Sequence, residues 1–106
     1  MRGKVEDLVG FLQNNKIVAL GDHPNWPIRS DARASVPTGL SVEEAKSVVT
    51  AALTSSRLRL AMLRGNMLPP RSTPAQQTEV LSLIATLLPG CSLVCLNLGE
   101  WSQASL

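Results

Sequence analysis

Apolar residues recur along this chain in two alternating rhythms. Between residues 5 and 15, Val5, Leu8, Val9 and Leu12 fall at i, i+3, i+4 and i+7, one stripe of a helix that Asn14 and Asn15 bring to an end. KIVALGD, residues 16–22, is too short for a helix and unbroken in its apolar centre, which predicts a buried strand. Pro24, Pro27, Pro37 and Gly39 then punctuate a long connection. Ser41 followed three residues later by Glu44 forms a capping box, and Ala45, Val48, Val49, Ala52 and Leu53 line one side of the helix it opens. RLRLAML, residues 57–63, predicts a second strand, and Arg64-Gly65-Asn66 a turn. Thr73 as N-cap, Pro74 at the first helical position and Gln76 beyond it open a third helix, which Pro89-Gly90 stops. SLVCLNL, residues 92–98, predicts the third strand.

Helices alternating with short apolar strands imply parallel strands joined by crossovers, hence an α/β architecture. The three helix-strand units also lie over one another without a gap. LQNNKIVALGDHPN from Leu12, LTSSRLRLAMLRGN from Leu53 and LPGCSLVCLNLGEW from Leu88 share one register. With Ile17, Leu58 and Leu93 as the origin, Leu8, Val49 and Ile84 precede them at −9, and Leu12, Leu53 and Leu88 at −5. Leu20, Ala61 and Leu96 follow at +3, and all twelve residues are apolar. Asn25 and Asn66 share position +8, where Trp101 stands in the third unit.

The second unit, from Leu58 to Leu68, resembles the L-xx-L-x-L-xx-N-x-L core of a leucine-rich repeat, with Ala61 in place of one leucine. The longer helical halves are similar to those of the ribonuclease-inhibitor-like class. The resemblance implies a short right-handed solenoid with a small parallel sheet, built from units over 5–27, 41–68 and 74–103. Inserted loops over 28–40 and 69–73 would account for spacings of 41 and 35 residues, against about 20 to 29 in that family. It also implies that the turn asparagine satisfies backbone groups and that the end units are atypical caps. The alternative is a compact three-layer α/β domain, half of a Rossmann-like fold.

At 106 residues the chain fits one domain, and 44 % apolar against 17 % charged residues excludes a disordered chain. Seventeen leucines and only three aromatics, Phe11, Trp26 and Trp101, demand an aliphatic core. A net charge of +2 falls short of the field of a nucleic-acid binder; Arg57, Arg59 and Arg64 lack interleaved aromatics, so nucleic acid is not the expected partner. No apolar run reaches the ~18 residues of a membrane span, and no leader pattern opens the chain. Cys91 and Cys95 lie about 13 Å apart if extended, too far for a disulfide. Free thiols fit a reducing, intracellular location, with the cytoplasm the simplest choice.

No catalytic, metal or cofactor chemistry assembles from the remaining residues. KIVALGD is similar to the first block of GDS-type esterases, but His23 stands where their serine would follow the aspartate. No glycine-rich phosphate loop joins a strand to a helix. His23 lacks a Cys, Ser or Asp placed to work with it, and Glu43 and Glu44 serve the first turn of their helix. The outward strand positions are more informative: Ala19, Leu60 and Cys95, then Gly21, Met62 and Asn97, then His23, Arg64 and Gly99. That surface is apolar and poor in charge, which argues for a bound protein. The expected partner-binding residues are Leu60, Met62, Arg64, Cys95, Asn97, Trp26 and Trp101. The expected function is that of a non-catalytic interaction module or a structural subunit of a larger assembly, using this sheet and the open solenoid ends. The alternative fold would carry a nucleotide-binding or degenerate-enzyme role.

Overall fold

The computed structural model describes residues 2–21, 32–99 and 101. Its elements are α1 (Arg2–Gln13), β1 (Ala19–Leu20), β2 (Arg33–Ala34), α2 (Val42–Thr54), β3 (Leu60–Met62), α3 (Pro74–Leu87) and β4 (Cys95–Asn97). The capping box read at Ser41–Glu44 is present, and the N-cap read at Thr73 forms a second one with Gln76. The Ser41 hydroxyl accepts from the Glu44 amide and Glu44 Oε1 from the Ser41 amide, while Thr73 and Gln76 exchange the same pair. α1 ends where Asn15 takes a φ of 56°. Asn tolerates that left-handed turn better than most residues. The Asn15 carboxamide oxygen also accepts from the Ser56 amide at 3.2 Å and the Ser55 hydroxyl at 3.4 Å, tying the end of α1 to the end of α2. Buried Ser55 in turn accepts from the amides of Arg57 and Leu58, which sets the turn into β3.

The four strands form one parallel sheet in the order β2-β1-β3-β4. Ala19 pairs with Leu60 and Leu60 with Cys95; Leu20 pairs with Ala61 and Ala61 with Leu96. These rows are the +2 and +3 positions of the three aligned sequence units. The strands are two or three residues long instead of the seven that the apolar runs suggest. Reading residues 28–40 as an inserted loop is corrected: it contains β2, which pairs with the free side of β1 through Ala19–Arg33 and Leu20–Ala34. Two residues between Ala32 and Ser35 carry no periodicity, so that strand is set by tertiary pairing alone.

Helix α2 packs against α1 on one side and α3 on the other. All three helices contribute to a single apolar cluster that also holds Leu20 and Ala61, with Leu96 packed against it. Leu12, Leu20, Leu53, Leu58, Leu63 and Leu68 are its fully buried leucines. Lys46 of α2 and Glu79 of α3 join at 2.9 Å across the exposed side of the helix layer. Among the described residues no helix is long and apolar enough to cross a membrane.

Candidate interaction surface

Parallel strands alternate their side chains, so the row below Leu20, Ala61 and Leu96 points away from the helices. On that outer face Ala19 is buried, Leu60 is half-buried and Cys95 is exposed. In the next row Gly21 is buried, and Met62 and Asn97 are half-buried. Leu60 and Met62 belong to neither the helix-side cluster nor its partly buried fringe.

The second row is internally engaged. Gly21 has a φ of +115°, and a Cβ built there would stand 2.7 Å from Met62 Sδ and 2.9 Å from Met62 Cβ. Met62 therefore lies directly over the glycine and covers the carboxyl end of β1. Asn97 Oδ1 accepts from the Gly99 amide at 2.9 Å and closes the turn after β4. Leu63 donates its amide to Asn97 O, and Gly65 to Gly99 O, both at 2.9 Å, so the β3–β4 pairing continues past the strands.

Arg64 is half-buried at the end of the outer face. Trp101 is half-buried against the core cluster and donates its indole N–H to Leu63 O at 2.8 Å, so it covers the end of β3 as well as offering a surface. Trp26 and His23 lie outside the described residues. Asn66, the asparagine expected to satisfy the turn with its side chain, is instead exposed in a 3-10 turn over Gly65–Met67, where its backbone carbonyl accepts from Gly39. The carboxamide that serves a strand end is that of Asn97.

Two open clefts lie at the carboxyl ends of the strands. One, about 200 Å³, is bordered by Gly21, Ser35, Val36, Met62, Arg64 and Asn66. Its neighbour, about 480 Å³, shares Asn66 and reaches Pro69, Ser72 and the buried Gln77, whose Nε2 donates to Ser72 Oγ at 3.4 Å. Among the described residues no group of three His, Cys, Asp or Glu side chains could hold a metal ion. Cys91 and Cys95 are unpaired thiols, half-buried and exposed respectively.

Sequence reasoning did not single out the edge of β4. Val94 is 76 % exposed and Leu98 38 %, although Leu98 stands five residues past Leu93 as the fully buried Leu63 stands five past Leu58. The signal was present: from Pro74 through Gly99 the only charged residue is Glu79. No protein-family model, curated protein or solved structure matches the chain.

Proposed function

We propose that this chain is a non-catalytic protein-interaction module of the short-solenoid, leucine-rich-repeat-like kind, acting inside a larger assembly. The observation that carries this reading is the burial of equivalent residues. Leu12 and Leu53 are 0 % and 2 % exposed, whereas aligned Leu88 is only half-buried; Ile17 and Leu58 are buried, whereas Leu93 is half-buried. Leu20 and Ala61 are fully buried, whereas Leu96 is not. The third unit thus has the composition of an interior repeat but is less covered than the other two. The outer face adds a second contact area, with Leu60 and Cys95 at its centre and Met62, Arg64 and Asn97 at its rim.

The test is affinity purification of the tagged intact chain from its native cells beside the Leu60→Glu and Cys95→Glu variants. A stoichiometric protein retained by the wild type and lost by folded variants supports the reading. Equal retention by all three overturns the outer face as its contact area.

A second reading, a small Rossmann-like ligand-binding domain, is favoured by one feature. The strand order changes direction between β1 and β3, and open α/β sheets bind ligands at such a point beyond the strands' carboxyl ends. The 200 Å³ cleft lies there. Against it, all three helices share one core cluster with one face of the sheet. A thermal-shift screen with nucleotides separates the two: a saturable rise in melting temperature supports the ligand-binding domain.

A further inference from the structure

The helix layer carries an open cleft of its own. Between α1 and α2 lies a furrow of about 330 Å³, bordered by Glu6, Val9 and Gly10 on one side and by Glu43, Glu44 and Ser47 on the other. A second furrow of about 370 Å³ shares Val9, Glu43 and Ser47 with it and runs on past Ala51 and Thr54 to reach Leu83 of α3. From Glu43 to Thr54 the two follow α2 for about 16 Å, or about three helical turns. Ser47 and Thr54 donate their hydroxyls back to Glu43 O and Thr50 O, so the donors of the floor are spent inside α2. Gly10 deepens the cleft, since a Cβ built there meets nothing within 4 Å. Glycine inside a helix is less stable than alanine, and no packing contact in the molecule requires this gap.

The rim of the cleft has one sign. In a chain of net charge +2, the first furrow is bordered by Glu6, Glu43 and Glu44 and by no basic residue. Arg2 stands one turn before Glu6 on α1, and even with it counted the carboxylates outnumber the cation. Lys46 borders only the second furrow, where Glu79 holds its ammonium at 2.9 Å. Charge complementarity therefore selects a cationic occupant. The walls select its conformation. Both are helices whose interior backbone groups are paired along their own ladders, so an extended segment laid between them would leave its N–H and C=O groups without partners. A helix satisfies its own backbone and brings apolar side chains at i, i+4 and i+7 to one floor.

We propose that the α1–α2 cleft is the docking site of a basic amphipathic helix, about three turns long, contributed by a partner protein. The apolar face of that helix lies on Val9, Gly10, Ala51 and Leu83, and a lysine or arginine flanking the face meets Glu43. Exposed carboxylates attract weakly and are screened by salt. The apolar floor therefore supplies most of the affinity, and the glutamates select the sign of the partner. The inference adds a second surface to the interaction-module reading and rests on it only in taking the partner to be a protein. Helix residues alone border the cleft, so it stands or falls apart from Leu60 and Cys95 on the sheet.

The experiment is fluorescence anisotropy of a labelled, end-blocked peptide of about twelve residues, leucine on one helical face and lysine on the other. It is titrated with the purified intact chain to about 500 µM, beside a peptide of the same pattern with glutamate for lysine. The expected result is saturable binding of the lysine peptide, at least about tenfold tighter than the glutamate peptide and at least about threefold weaker at about 300 than at about 50 mM salt. Gly10→Leu, whose side chain enters the cleft, weakens that binding at least about tenfold. Glu43→Lys weakens it at least about fivefold, whereas Asp7→Lys, the same change of charge outside the cleft lining, moves it less than about twofold. Each variant is first checked for wild-type circular dichroism. Gly10→Met stands in for Gly10→Leu, and Glu43→Gln beside Asp7→Asn for the lysine pair, where the first choice does not fold. Absence of saturable binding, equal binding of the two peptides, or a folded Gly10 variant that binds like the wild type overturns the cleft as the site. Equal losses from Glu43→Lys and Asp7→Lys overturn the selection by charge. A wild-type chain that ignores the lysine peptide while Leu60→Glu still loses a native partner overturns this inference and leaves the proposed function standing.

Discussion

Replacing the same leucine by alanine in each of the three aligned units measures how well each unit is covered. Leu12, Leu53 and Leu88 share one sequence position, with exposures of 0 % and 2 % for the first two and half-burial for the third. Removing a fully buried leucine side chain costs about 3 to 4 kcal/mol, since the cavity left behind adds to the lost transfer energy. At Leu88 part of the side chain was never withdrawn from water, and a partly open site leaves a smaller closed cavity. The expected cost there is about 1 to 1.5 kcal/mol. A small domain holds about 5 to 15 kcal/mol of stability in all, so the alanine variants at Leu12 and Leu53 should remain folded but be clearly weakened. With a urea slope of about 1 to 1.5 kcal/mol/M, their midpoints should fall by about 2 to 4 M and that of Leu88→Ala by about 1 M. Equilibrium urea unfolding followed by circular dichroism, at low micromolar protein, reads this directly. Equal shifts for Leu53→Ala and Leu88→Ala would refute the argument that the third unit is less covered than the second.

Three further outcomes follow from particular contacts. Gly21→Ala combines a positive-φ penalty of about 1 to 2 kcal/mol with a clash against Met62, and should lower stability by about 2 to 4 kcal/mol in thermal unfolding. Met62→Ala in the same chain should recover only part of that loss, because the backbone strain and the Met62 Cβ contact at 2.9 Å remain. Ser41→Ala and Thr73→Ala should each cost about 1 kcal/mol, and the two losses should add, since they open different helices. The Lys46 ammonium, hydrogen-bonded to Glu79 and close to Glu43, titrates above its ordinary 10.5. Its contribution is therefore present below pH 10.5 and lost as pH climbs through the raised value. Lys46→Met should flatten that alkaline limb of the stability–pH curve while leaving the neutral region nearly unchanged.

The readable parts of the sequence were those with local or periodic causes. Ser41-Glu44 and Thr73-Gln76 announce their helices because a capping box satisfies its own backbone groups within four residues. Aligning Ile17, Leu58 and Leu93 also gave the pairing of Ala19 with Leu60 and of Leu60 with Cys95, since apolar positions that repeat must face the same core. β2 was not legible, because Arg33-Ala34 is held only by its pairing with β1. Of the expected contact residues, Leu60 and Cys95 are placed by simple alternation. Met62, Asn97 and Trp101 proved to be partly occupied inside the molecule, by Gly21, the Gly99 amide and Leu63 O. No alternation rule encodes those engagements, which depend on the left-handed turn at Gly21 and on the path of the chain after Gly99.

The all-parallel sheet also has a consequence for how the chain reaches its fold. Ala19 pairs with a residue 41 positions away and Leu60 with one 35 positions away, and even β1 and β2 are 14 positions apart. No hairpin can therefore nucleate the sheet, and each ladder waits on the closure of a long loop. α2 lies within the longest of these closures and packs against both other helices. Its docking shortens that search. Substitutions of Val48 and Val49 should slow refolding, whereas losses in β4 should mainly hasten unfolding, so the rate-limiting barrier is crossed with the middle of the chain assembled and its last strand still free.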